Sequence, residues 1–469
     1  MPRPYDGAGP AEAQARPGLA AAAYRWILWG GLLAMLGANL PGHLSFDSVV
    51  QLHEGRFGVR ETWAPAIMSW LLGRFDEISP GTGLYVTASS VVLTGALLSL
   101  RDLRARTSWL APVAALALVL TPQFAVYQAI VWKDVLFANL TVAGFAALAH
   151  AARRWGDRRA RLAPLMAALA FLSLAALVRQ NGVICVIVAA AALAWTARSG
   201  GPRAVAGWSL GFLAAALVLS QAVELAVQPK GPPAKAGTRI GERVLEHYDI
   251  VGAAAHAPGL RLDVLAQAAP AAEQAVRGEG VRVYSPERVE AFDASPGLGK
   301  SLWRVPDKVM AEQWRRIIER RPDAYLRHRL DVFRWVFAPP RLEACLPVFT
   351  GVAAAGAKLD DLGIAPGQRP QDKALERYAA RFFHSPVYSH VTYALLALTI
   401  CGFLIWRRDP ADVAIAALQL AALGFAASFL LISVACDYRY LYLLDVAALT
   451  GLLYVALDPT VSRRRRRAG

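Results

Sequence analysis

The sequence is short of charge. Only 18% of its 469 residues are Asp, Glu, Lys or Arg while 56% are hydrophobic, a balance that excludes both an ordinary soluble domain and a disordered chain. Cysteine is scarce as well. Cys185, Cys345, Cys401 and Cys436 show no CxxC spacing and two of them fall inside apolar runs, so neither a disulfide framework nor a zinc site is implied. The GxGxxG, GxxxxGK[ST] and HExxH patterns are missing, which removes the dinucleotide, P-loop and zinc-protease readings. Asp47 with Glu54 or His53 could hold a divalent cation, but nothing fixes further ligands, and no cofactor is expected.

What is present is a series of apolar runs, each close to the roughly 20 residues that span a bilayer. They lie near residues 24–41, 83–100, 109–127, 134–150, 163–178, 182–197, 205–227, 388–406, 411–435 and 439–457. The expected fold is therefore an all-α polytopic membrane protein of about ten transmembrane helices. Arg25 precedes the first run and no small-x-small site follows it, so that run reads as a retained anchor.

The net charge of +15 is informative through its placement. Threading ten spans from an internal N-terminus puts Arg3, Arg16, Arg25, "RDLRAR", "RRWGDRRAR", "RSGGPR", "WRRD" and the Arg463 to Arg467 tail on one side. The short loops opposite keep only Arg56, Arg60, Arg74, Lys133, Arg179 and Arg439. Cytoplasmic loops collect Lys and Arg, so both termini are expected in the cytoplasm. The Arg tail then reads as an orientation signal that touches anionic lipid, with no nucleic-acid partner.

Residues 1–24 and 458–469 are the expected cytoplasmic ends, and residues 25–227 and 388–457 the two membrane modules. The first outer loop, residues 42–82, holds "FDSVVQLHEGRF", in which Phe46, Val49, Val50 and Phe57 approximate one helical face, and the apolar but short "APAIMSWLLGRF". Both read as helices on the membrane surface. Residues 228–387 open with "QPKGPPAKAG" and form an extracytoplasmic, mainly helical domain, in which Pro322 breaks one helix and Asp323 starts the next.

Against this background the polar residues where spans meet the outer surface stand out. They are Asp47 and His53, Lys133 and Asp134 in "VWKDV", Arg179 and Asn181 in "VRQNG", and Asp437 and Arg439 in "CDYRYLY". Ionisable groups at such depth are costly and mark function by default. Isolated cations facing an outer cavity suit an anionic ligand such as a lipid-linked phosphate, and Arg179 has no acid beside it in sequence. Trp26, Trp63, Trp70 and Trp132 lie near span ends and read as interfacial anchors.

An acid just after the first span, in "SFDSVVQL" followed by "WAPAIMSWLL", resembles the C-type (GT-C) glycosyltransferase superfamily, in particular bacterial protein mannosyltransferase and lipid A aminoarabinose transferase relatives. "VWKDVLFA", "LVRQNG" and "DYRYLYLL" are similar to elements of bacterial families assigned to that superfamily. The resemblance implies a membrane enzyme that takes a sugar from a polyprenyl-phosphate carrier at the outer face, usually with inversion. It implies Asp47 as the catalytic carboxylate and Lys133, Arg179 and Arg439 as holders of the carrier phosphate, with Asp134, Asn181, Asp437 and His53 in support. The chain departs from its relatives at Ala64, where a His-Pro-Pro-like element would place its His. The implied partners are a polyprenyl-phosphate-linked sugar, membrane lipids and an envelope acceptor, in the inner membrane of a bacterium. Two other readings fit the composition: a transporter or flippase of lipid-linked precursors, and a non-catalytic membrane scaffold.

Overall fold

The computed structural model describes residues 18–62, 64–227 and 237–460. Arg3, Arg16, the Arg463 to Arg467 tail, Trp63 and residues 228–236 lie outside the described residues.

Helices account for the architecture, and the described residues contain isolated β-bridges but no strand. The membrane part runs through α1 (Leu19–Asn39), the surface pair α2 (Phe46–Phe57) and α3 (Ala66–Ile78), α4 (Gly83–Leu100), α5 (Leu110–Val119), α6 (Pro122–Ala125), α7 (Lys133–Arg153), α8 (Arg158–Val178), α9 (Val183–Ala197) and α10 (Gly201–Val227). A second region holds α11 (Gly237–His256), the short α12 (Asp263–Ala268), α13 (Pro270–Ala275), α14 (Val281–Val283) and α15 (Pro296–Arg304), then α16 (Asp307–Arg320) and α17 (Pro322–Phe337). The chain returns through α18 (Gly356–Leu362) and α19 (Pro370–Ala380) to α20 (His390–Arg407), α21 (Pro410–Ile432) and α22 (Tyr442–Leu457).

Eight helical runs among the described residues are long and apolar enough to cross a membrane, and α5 with α6, bent by 60° between them, would make a ninth. One of the eight, Gln180–Val227, is 48 residues long, more than twice what a bilayer core takes. It contains α9 and α10, which break at Gly201, where φ is +81°, and pack on each other. Trp208 near the start of α10 lies against Trp155 just after α7, whereas α9 begins after Arg179 at the far end of α8. The run is therefore a hairpin of two spans, and the total agrees with the ten expected. The span expected at 109–127 differs in form: Pro122 begins a new helix after only ten residues of α5, roughly half a bilayer in length.

α7 is the centre of the bundle. Its sequence is apolar or small on every side, and 89% of its most apolar window is buried, as expected of a helix surrounded by others. α2 and α3 cross at Gly55 and Gly73, where a Cβ on Gly55 would stand 2.1 Å from the Ser69 carbonyl oxygen. Only glycine permits that approach. Val49, Val50 and Leu52 of α2 are buried, whereas Phe46 and Phe57 are exposed. The single apolar face expected for these residues is thus divided between protein and surroundings, because α3 takes up one side of the helix.

Two hydrophobic cores form among the described residues. One spans the bundle; the other is formed by residues between Tyr248 and Val332. The region expected as one domain at 228–387 divides at α17, since Val336, Leu342, Val348, Leu359 and Ala379 pack with the bundle. Backbone bonds from His43 and Leu44 to Ala129, Val131, Gly351 and Ala353 tie this returning segment to the first loop.

The cysteine reading is corrected. Cys345 and Cys436, 91 residues apart, form a disulfide with a Cα–Cα distance of 5.0 Å, while Cys185 and Cys401 are free and buried. A pairing so distant in sequence leaves no spacing signal; folding brings the two together.

Candidate active site

The site is assembled from four chain segments that meet at one end of the bundle. The Ser48 hydroxyl donates to the Val131 carbonyl at 2.6 Å, and Trp132 Nε1 donates to Ser45 Oγ at 2.8 Å. These bonds fix the first turn of α2, which carries Asp47, against the first turn of α7, which carries Lys133 and Asp134. Arg179 lies between α8 and α9. Asp437 and Arg439 lie at the turn that opens α22.

Arg439 is the hub. Its Nη2 lies 2.7 Å from Asp47 Oδ2 and 2.9 Å from Asp437 Oδ2, its Nε is 3.1 Å from Asp437 Oδ2, and the same Nε is 4.0 Å from Asp134 Oδ2. The guanidinium rests 4.9 Å from the Trp132 ring centre and 5.8 Å from that of Tyr440. Arg179 donates to Asp134 Oδ1 and lies over Tyr440 and Phe429, at 5.2 and 5.6 Å. Arg179 Nε and Asp134 Oδ2 are buried without a hydrogen-bond partner. Lys133 is half-buried within electrostatic reach of Asp47, Arg179 and Arg439.

Asp47 is the member open to its surroundings, with 50% of its side-chain surface exposed, although protein crowds the base of its carboxyl group. Burial raises its pKa, but the charge and hydrogen bond of Arg439, helped by Lys133 and Arg179, outweigh that effect and hold it below the ordinary Asp value. Asp47 is therefore ionised at neutral pH.

Of the eight sequence candidates, Asp47, Lys133, Asp134, Arg179, Asp437 and Arg439 come together. Asn181 instead donates to Ser428 Oγ at 2.8 Å and joins the start of α9 to α21. His53 turns away, with Nε2 3.2 Å from Asp361 and Nδ1 3.7 Å from Glu61. Glu54 is occupied by Glu61 N, Thr62 N, the Thr62 hydroxyl and Ser69 Oγ. The cation site considered at Asp47 with Glu54 or His53 is therefore not assembled, since each of the three has different partners. No group of three His, Cys, Asp or Glu side chains suited to a metal occurs among the described residues.

Two further readings change. Arg179 has no acid beside it in sequence, but Asp134 from α7 supplies one across the bundle. Trp132 is 1% exposed and serves as the surface on which Arg439 lies, whereas Trp26 and Trp70 are exposed as anchors should be. Tyr440 and Phe429 were missed as site residues. Tyr440 stands in the "CDYRYLY" motif beside Arg439, and Phe429 gives no sign in a run of apolar residues.

The turn that carries Arg439 is held from several directions. The Tyr438 hydroxyl donates to Asp445 at 2.7 Å, and His390 Nδ1 lies 2.9 Å from the same carboxyl. Arg329 donates to the Ser433 carbonyl, Val289 N donates to the Val434 carbonyl, and Cys436 is linked to Cys345. Side chains fixed in this way keep their geometry when a ligand arrives.

No family model matches the chain, and no curated protein matches it. Among solved structures, it is similar to the Archaeoglobus fulgidus oligosaccharyltransferase in complex with Zn and sulfate. The identity is 14% and the TM-score 0.40, over 92% of this chain and 48% of that one. It is also similar to ArnT from Cupriavidus metallidurans bound to undecaprenyl phosphate, at 14% identity and a TM-score of 0.38, over 93% and 78% of the two chains. The chain thus spans about half the length of the oligosaccharyltransferase. A likeness this loose transfers neither a residue nor an activity.

Proposed function

We propose that the protein is a glycosyltransferase that moves a sugar from a polyprenyl-phosphate carrier to an envelope acceptor at the outer face of a bacterial cytoplasmic membrane. The observation that carries this reading is the convergence of Asp47, Lys133, Arg179 and Arg439 from four separate segments. An ionised, accessible carboxylate beside three cations suits a displacement at a sugar's anomeric carbon. The acceptor hydroxyl gives its proton to Asp47 as its oxygen bonds to that carbon. The carbon–oxygen bond to phosphate breaks on the opposite face, with inversion, and the electron pair leaves on the phosphate oxygen, stabilised by the cations.

The three cations face three carboxylates, so the site is balanced before a ligand binds. Arg439 spends one nitrogen on Asp47, and a carrier phosphate would compete for it. Arg179 Nε offers a further donor. Donor binding thereby loosens Asp47 for the acceptor.

The disulfide supports an outer location for the site, because such bonds persist in oxidising compartments. Reporter fusions test the topology: one at residue 300 is expected to signal from outside and one at Arg158 from the cytoplasm. The reverse result removes the carrier from the side where the site opens.

The activity is tested with the purified protein in proteoliposomes containing a panel of undecaprenyl-phosphate-linked sugars and a membrane extract as acceptor. Release of undecaprenyl phosphate with label transferred to the extract is the expected result. Movement of intact sugar-lipid between leaflets without cleavage would identify a flippase instead, and neither outcome with any donor would leave the scaffold reading.

A further inference from the structure

The side of α17 that the protein leaves uncovered carries Leu326 and Leu330 beside Arg327, Asp331 and Arg334. Leu326, Leu330, Phe333 and Phe337 recur at helical spacing along one side, and Leu326 and Leu330 are 46% and 56% exposed. The opposite side, with Tyr325, His328, Arg329, Val332 and Val336, is buried against the two cores. Phe333 and Phe337 stack on one another with ring centres 5.4 Å apart and are partly buried against the bundle core, so they join the exposed leucines to the bundle. Leu326 and Leu330, on a helix outside the membrane spans, are the large apolar side chains that this stripe leaves exposed.

Its place in the fold indicates what does. Arg329, the neighbour of Leu330, donates to the Ser433 carbonyl at 2.7 Å, one residue beyond the end of α21. There Leu431 and Ile432 are themselves exposed, as the side chains of a lipid-facing helix end are. The stripe therefore continues the apolar surface of the bundle. Arg327 and Arg334 flank it on one side, with Asp331, which pairs with His256, between them; both arginines are exposed and neither forms an ion pair among the described residues. Trp335 follows, with the Arg341 guanidinium 5.7 Å from its ring centre. Exposed leucines, arginines beside them whose neighbouring acid Asp331 is taken by His256, and a tryptophan at the edge suit a helix that lies at a membrane interface.

We propose that α17 is seated in the lipid interface with Leu326 and Leu330 in the acyl region and Arg327 and Arg334 against lipid phosphates. The second core is thereby docked on the leaflet beside the turn that carries Arg439. This assignment does not depend on the chemistry proposed for the site.

The test uses the full chain with Cys185→Ala and Cys401→Ala, reconstituted in nanodiscs containing phosphatidylglycerol. An environment-sensitive fluorophore is attached through Leu330→Cys or, for comparison, through Lys308→Cys on α16. Brominated lipid is expected to quench the Leu330 position at least twofold more strongly than Lys308, with iodide in the buffer giving the opposite order. Arg327→Glu with Arg334→Glu is expected to reduce quenching by brominated lipid. If iodide quenches both positions alike and brominated lipid neither, the stripe faces water and the proposal is wrong. A label at Leu330 shielded from both quenchers means that protein covers the stripe, which also overturns it.

Discussion

Asp47→Asn is expected to lower the rate of sugar transfer by on the order of a hundredfold or more while leaving carrier binding intact or stronger. The substitution keeps the shape of the side chain and removes only the proton-accepting charge. Asp47 is half exposed and supports no core packing, so the fold tolerates the change. The hydrogen bond weakened is the one to Arg439, and an arginine released from a carboxylate is a better ligand for phosphate. The test is single-turnover transfer beside equilibrium binding of undecaprenyl phosphate, each for the parent and the variant. A structural role for Asp47 predicts the opposite combination: parental turnover, or a loss of rate together with loss of folded protein.

Arg439→Gln is the companion change, with an expected loss of about ten- to a hundredfold in carrier binding, the usual cost of deleting a charged hydrogen-bond partner. It also has a consequence for pH. In the parent the Arg439 charge is the largest influence that lowers the Asp47 pKa, against burial, which raises it. Without that charge burial is opposed only by Lys133 and Arg179, and the pKa of Asp47 rises. A base must be ionised to act, so the acid limb of the kcat/KM profile is expected to move to higher pH in Arg439→Gln. Arg439→Lys keeps a charge but cannot reach Asp47 and Asp437 with one planar fork, and an intermediate profile is expected. An acid limb at the same pH in all three proteins would separate Asp47 from the titration.

The helical class is legible in the apolar runs, and the members of the polar cluster are legible because ionisable side chains at membrane depth are rare, so those that remain are informative. Lys133, Asp134, Arg179, Asp437 and Arg439 each close or open a span, and Asp47 follows the first. What the sequence did not carry is how they pair. Arg179 finds its acid 45 residues away on another helix, and Arg439 reaches Asp47 across 392 residues; no spacing rule relates such positions. Trp132 was misread for a related reason, since a tryptophan at a span end faces lipid on a peripheral helix but protein on a central one. That α7 is central emerges only from packing. His53 and Asn181 share segments with members of the polar cluster, yet helix phase turns one toward Asp361 and packing ties the other to Ser428.

The most direct test of the account is the binding of undecaprenyl phosphate to the purified protein in nanodiscs, measured by native mass spectrometry for the parent, Asp47→Asn and Arg439→Gln. Saturable binding by the parent, equal or tighter binding by Asp47→Asn and binding weakened at least tenfold in Arg439→Gln is the predicted pattern. Binding that is absent from the parent, or identical in all three proteins, would contradict the assignment of this cluster to a carrier phosphate.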